Sequence, residues 1–236
     1  MAQFTRKELK SDKFALEVQH SVEYVSEHRQ QLIRWGGIGL AVVILVVAVL
    51  VYRNHEHSVR QEALHQALQI QNAQIGNPIP NSDIQLFPTE AARLKAATQA
   101  FTDIATKYSG TEEGTIADYF LGTNASDTGN YAEAEKRFKE VVDSGDNAYR
   151  SVAEMALGQV YASEGKTSDA EKALQWVVDH PTVLVSKEEA TLALGQILKT
   201  SDPQRARKLI EPLRSSPRPA INRQAIAEIA ELSQQK

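Results

Sequence analysis

Three observations predict an all-α chain: one transmembrane helix, then an α-solenoid of about four helix pairs closed by a C-terminal capping helix. Residues 36–52 hold no charged side chain, while both flanks are rich in them. From residue 97 onward small and large apolar residues recur every 36 or 37 positions. The last stretch, residues 220–235, carries a narrow apolar stripe (Ile221, Ala225, Ile229, Leu232) with a polar back, as a helix covering the end of an array should.

The apolar run comes first. Eleven of the fourteen residues from 38 to 51 are Leu, Ile or Val, and a helix over residues 35–52 covers roughly 27 Å, close to the hydrocarbon thickness of a bilayer. The run is nearly twice the usual length of a strand. A leader of 34 residues precedes it, which is unlike a cleaved signal peptide. Trp35 and Tyr52 fit interfacial aromatic belts, with Arg34 and Arg53 just outside them. Gly37, Ala41 and Ala48 fall on one side of the helix, a small-residue stripe of the kind that lets transmembrane helices pack closely.

Ahead of the run, Thr5 and Glu8 have the spacing of a capping box, and neither Pro nor Gly interrupts a helix from there to Arg34. Phe14, Val18, Val22, Val25 and Leu32 form one apolar stripe on it. This arm lies on the membrane surface, binds a partner helix, or is simply solvated. Arg6, Lys7, Lys10, Lys13, Arg29 and Arg34 place the short arm in the cytoplasm by the positive-inside rule, although the cations immediately flanking the span are tied. The expected domains are therefore a cytoplasmic amphipathic arm at 1–34, a transmembrane helix at 35–52 and a repeat domain at 53–236 on the far side of the membrane.

Beyond the span a helical pattern is expected from His55 to Ile75, with Val59, Ala63, Ala67 and Ile70 on one face, ending where Gly76, Pro78 and Pro80 forbid continuation. Residues 76–88 read as a long loop. The repeat then sets in. Leu121 with Gly122, Leu157 with Gly158 and Leu194 with Gly195 recur at 36 and 37 residues; Ala97, Ala134, Ala170 and Ala206, each followed four positions later by Phe101, Phe138, Leu174 or Ile210, recur at 37, 36 and 36. A period in this range marks a helical solenoid in which each unit is one helix pair. Small residues let the two helices of a hairpin approach, and the large residue is expected to fill the space between neighbouring hairpins. Gly129-Asn130-Tyr131, Glu164-Gly165-Lys166 and Ser201-Asp202-Pro203 mark turns within units; Ser144-Gly145-Asp146, His180-Pro181 and Ser215-Ser216-Pro217 separate units.

Chemistry is sparse. The absence of cysteine removes disulfides, Cys-ligated zinc and thiol catalysis. His55-Glu56-His57 lacks the His-x-x-x-His pair and supporting carboxylate of a metal site, and no phosphate-binding glycine loop occurs. Glu112-Glu113 and Glu188-Glu189 sit at expected helix starts, where carboxylates suit the dipole, so they read as caps. Asn124-Ala125-Ser126 is a formal glycosylation sequon. The basic run at 199–223, seven cations against two acids, lacks interleaved aromatics and argues against nucleic acid. With 13 acids against 5 cations at 112–171, it makes the charge uneven, as a partner surface or a solvated face would. No enzyme, cofactor, metal or small-molecule substrate is expected.

Leu157-Gly158-x-x-Tyr161, followed by Ala170, Leu174 and Val177, resembles the tetratricopeptide repeat. The aromatic expected early in the first helix is replaced by Asp118, Glu154 and Thr191, and the terminal proline occurs only as Pro181. With the arm, the single span and the divergent array, the chain resembles the YfgM-like family of membrane-anchored tetratricopeptide-like proteins. That resemblance implies a bacterial inner-membrane protein whose repeat domain at 53–236 faces the periplasm, an ancillary subunit of the Sec translocon whose array binds translocon subunits, periplasmic chaperones or client segments. A general scaffold for envelope or cell-division complexes is the alternative. In such arrays the first helix of each pair lines the concave face, which places Tyr119, Thr123, Met155, Gln159, Leu192, Gln196 and Lys199 in a protein-binding groove. Tyr119, Met155 and Leu192 have an equal reading as inter-repeat core.

Overall fold

The computed structural model describes residues 29–77 and 85–234. The arm expected at 1–34, with its capping box at Thr5, falls outside them up to residue 28. The chain forms two compact units, one ending at Ser58 and the other Val59–Lys236.

The first unit is carried by α1 (Arg29–Gln71), a 43-residue helix that also supplies the first helix of the second unit. From Ile33 to Gln71 it is long and apolar enough to cross a membrane. Trp35, Tyr52 and the Leu, Ile and Val side chains between them are exposed. No proline interrupts α1, yet it stops four residues short of the expected Ile75. Its terminal carbonyls are taken by side chains: Asn72 Nδ2 donates to Leu68 O at 2.9 Å, and Arg93 Nη1 donates to Gln71 O. Gln74 and Ile75 instead form β1 (Gln74–Ile75), which pairs in parallel with β2 (Leu86–Phe87). The long loop expected at 76–88 is thus pinned at both ends by a short ladder.

The array continues with α2 (Glu90–Lys107), α3 (Glu112–Asp127), α4 (Tyr131–Ser144), α5 (Asn147–Ser163), α6 (Thr167–Asp179), α7 (Lys187–Ser201) and α8 (Pro203–Ile210), a 3₁₀ turn at Glu211–Ser215, and α9 (Pro219–Gln234). Helix starts follow local chemistry. Thr89, Thr111, Asn130, Asp146, Ser186 and Asp202 each accept a backbone N–H of the first turn through their side chains, and Ser186 with Glu189 forms a full capping box. Gly129 and Gly165 take the left-handed conformation, φ 75° and 74°, that reverses the chain within the second and third pairs. Residues 59–71 of α1 with α2, α3 with α4, α5 with α6, and α7 with α8 are the four pairs, and α9 caps them.

The periodic residues meet, but not quite as spaced apolar residues alone would arrange them. A methyl group built on Gly122 would lie 2.7 Å from the Phe138 ring, one on Gly158 2.6 Å from Leu174 Cγ, and one on Gly195 2.5 Å from Ile210 Cγ1. The large residue therefore fills the space over the glycine of its own hairpin, rather than the gap between hairpins as expected. Phe138, Leu174 and Ile210 are correspondingly buried to 2% exposure or less. The first pair differs. Phe101 has no glycine opposite it, shares a buried cluster with Ala67, and stacks on Phe120 of the next pair with ring centroids 4.9 Å apart.

Candidate protein-binding surface

The first helices of successive pairs run parallel in a register that side chains record. Arg60 Nε donates to Glu113 Oε2 at 3.0 Å, and Gln71 and Asn124 exchange amide hydrogen bonds at 2.9 and 3.2 Å. The members of each pair are 53 residues apart, so α1 and α3 keep step over three turns. At the other end Glu189 with Arg218 and Lys199 with Glu228 are each 29 apart, which sets α7 and α9 in step. Glu113 is thus more than a helix cap: at 3% exposure its carboxylate is buried against the Arg60 guanidinium. Asn124, 4% exposed, is spent on Gln71 and is closed to glycosylation.

The seven groove residues, all on first helices, divide by accessibility. Gln159 is exposed; Thr123 is half-buried, its hydroxyl donating to Tyr119 O at 3.1 Å. The Tyr119 ring is half-buried against Phe138 at 5.7 Å and edge-on to Phe120 at 5.8 Å. Met155 is half-buried over the C-terminal core. Leu192, 3% exposed, belongs to that core and offers no surface, because its helix packs apolar contacts on both neighbours. Gln196 and Lys199 are engaged within the chain: Gln196 Nε2 donates to Glu228 Oε1 at 2.9 Å, and Lys199 Nζ lies 2.5 Å from both Glu228 and Glu231. The capping helix thus covers the last part of the row, leaving Tyr119, Thr123, Met155 and Gln159 as its open part. Burial alone would push the Glu228 carboxyl up, but the hydrogen bonds from Lys199 and Gln196 prevail and hold it below the ordinary 4.5.

Concave spaces lie elsewhere, in furrows where two successive second helices flank a first helix. One of about 460 Å³ is lined by residues of α2, α3 and α4, among them Asp118, Arg137, Glu140 and Asp143. Arg137 is the hub, bonded to Asp118 at 2.9 Å, Glu133 at 2.7 Å and Glu140 at 3.4 Å. Burial raises the Asp118 carboxyl despite the Arg137 hydrogen bond that opposes it. The next furrow, about 450 Å³, is lined by α4, α5 and α6 and includes Tyr161 and Trp176. There Arg150 sits 4.3 Å over the Trp176 ring and His180 stacks on it at 4.6 Å. None of the seven groove residues lines these cavities. The sequence signal for the furrows is present in hindsight: Asp118 and Glu154 occupy the position of the missing early aromatic, and a charged residue there leaves the furrow unfilled.

Among the described residues no cluster of three or more His, Asp or Glu could hold a metal ion. Gly37, Ala41 and Ala48 are exposed on α1.

Comparison with known proteins agrees with this architecture. Two crystal structures of the TPR-like repeats of a Podosopora anserina kinesin light chain, one of them a point variant, superpose with TM-scores of 0.55 and 0.56 at 14% identity, over 74% of this chain and 85% and 84% of theirs. At that identity the likeness concerns the fold. No curated protein matches the sequence. The tetratricopeptide repeat-like domain family matches residues 30–181, more than half of the chain, and it takes in the apolar helix together with the first three helix pairs. The chain belongs to the tetratricopeptide repeat-like domain family.

Proposed function

We propose that this protein is a single-pass scaffold of a bacterial inner membrane, with its N-terminus in the cytoplasm and its array in the periplasm, where it binds proteins as an accessory to the Sec translocon and periplasmic chaperones. Tetratricopeptide-like arrays bind proteins with the face made by their first helices. The observation that carries the reading is that one unbroken helix holds both the apolar stretch and the first helix of the array. A binding surface built this way is tied to the membrane by its own secondary structure. The architecture's resemblance to the YfgM-like family supports the translocon as its site of work.

In this reading Tyr119, Thr123, Met155 and Gln159 meet the partner directly, while Gln196 and Lys199 hold the cap that borders the groove. Gly37, Ala41 and Ala48 let a partner's transmembrane helix approach α1. Two experiments test it. Extraction in mild detergent followed by affinity purification should recover translocon subunits, and their absence, or recovery of division proteins instead, would sink the translocon assignment. Protease added to spheroplasts should digest the array and spare the arm; the reverse pattern would refute the orientation.

A further inference from the structure

We propose that the outer face of α9 is a self-association surface, on which a second copy of this chain lays its own α9 antiparallel. The inner stripe of the helix is buried against the array. On the opposite side Arg223, Ala227, Ala230 and Gln234 fall within about 60° of one another and are all exposed. Ile226, 47% exposed, borders them. A helix that closes a solenoid needs a polar outer face, yet the middle of this one carries Ile226, Ala227 and Ala230.

The first helix of the array shows the contrast. Between residues 61 and 69 of α1 the exposed side chains are Gln61, Glu62, His65, Gln66 and Gln69, every one of them polar. They also satisfy one another: Gln66 Nε2 donates to Glu62 Oε1 at 2.9 Å, and Gln69 Nε2 lies 2.9 Å from His65 Nε2. That face is finished for water. The face of α9 offers apolar area instead, and its alanines let a second helix axis approach to about 8 Å.

Charge selects a second copy as the occupant. Arg223 is exposed and pairs with no carboxylate among the described residues. Lys199 is divided between Glu228 and Glu231, 2.5 Å from each, which leaves one carboxylate in surplus, and Glu231 is 60% exposed. The unpaired cation stands four residues before Ala227 and Glu231 four residues after it. A two-fold axis at Ala227, which sets one α9 antiparallel to the other, therefore brings each Arg223 level with the partner's Glu231, with Ala227 of both copies at the centre. An unrelated protein would have to supply these charges in the same order by coincidence, whereas a second copy supplies them by symmetry. One helix on each side is a small contact, so the dimer is weak and reversible.

The chain has no cysteine, so single thiols can be placed at will. Full-length protein carrying Ala227→Cys, in mild detergent under copper–phenanthroline oxidation, should form a covalent dimer. The same treatment of Ser168→Cys, exposed on α6, should not. Arg223→Glu and Glu231→Arg, each added to Ala227→Cys, should each lose about tenfold in dimer when alone, because two exposed ion pairs become two repulsions. Mixed together they should regain it, because each mixed dimer restores both attractions; a variant that had merely misfolded would not recover on mixing. Equal cross-linking at 168 and 227 overturns the surface. A mixture that cross-links no better than the separate variants overturns the antiparallel register and, with it, the second copy as occupant.

Discussion

The first junction of the array and its later hairpins solve the same packing problem with different materials. In the second, third and fourth pairs a glycine on the first helix lies under a large apolar residue of the second, so close that not even a methyl group fits between them. In the first pair no glycine is available; Phe101 leans instead on Phe120 of the next pair, and α1 is tied to α3 by a buried ion pair and an amide exchange. Close apolar packing is strong but carries no directional preference. Polar ties are modest in net energy but specify register, because a slip leaves buried donors and acceptors unpaired. Van der Waals fit thus suffices within a hairpin, whereas directional bonds set the depth at which α3 stands beside α1 and α9 beside α7.

The widest effect is expected from the hairpins. Leu174→Ala removes a fully buried side chain over Gly158 and should cost about 2 to 5 kcal/mol in denaturant unfolding. A cost below about 1 kcal/mol would show that the glycine contact is not what holds a pair together. Next comes the junction: Arg60→Ala deletes the 3.0 Å ion pair to the buried Glu113 carboxylate and should cost about 3 kcal/mol, at the low end for a broken buried pair because a fifth of the Arg60 side chain still meets water. Loss should be local, with hydrogen exchange quickening in residues 59–71 before the later pairs. Uniform exchange would mean that the junction is no separate element.

A smaller effect is expected at the cap. The folded-state value of Glu228 lies below its ordinary 4.5, so its contribution is complete above the unfolded value and declines as pH falls through the folded one. Lys199→Met should cost about 1 kcal/mol near neutrality and flatten that acid-side decline; an unchanged pH profile would exclude the Lys199–Glu228 pair as its source. Least of all, Gln159→Ala should alter unfolding by no more than about 0.5 kcal/mol while weakening partner capture, since the side chain is exposed. A large stability loss would reassign it to structure.

Much of this is readable from residues alone. The apolar run, the 36–37 residue interval, the turns at Gly129, Gly165 and Pro203 and the capping helix all follow from local rules of hydropathy, period and backbone preference, and each stands where those rules put it. The end of α1 departs from its local pattern where distant residues take over: the Gln71 carbonyl accepts from Arg93 twenty-two residues away, and Gln74 and Ile75 pair with Leu86 and Phe87. Of the groove, helix membership is legible, whereas the burial of Leu192 and the engagement of Gln196 and Lys199 by Glu228 and Glu231 are not. Period places a side chain on a face, but what lies against that face depends on helices 29 to 53 residues distant, and pairing over such distances leaves no periodic trace.

By itself, then, the sequence determined the helices, their number per unit and the presence of a helix suited to a bilayer, because these depend on interactions within a few residues. Tertiary structure alone decided that the large residue of the second, third and fourth pairs sits on its own hairpin's glycine, and that Glu113 and Asn124 lock the first junction. Those outcomes turn on which surfaces meet and at what depth, and only packing in three dimensions settles that.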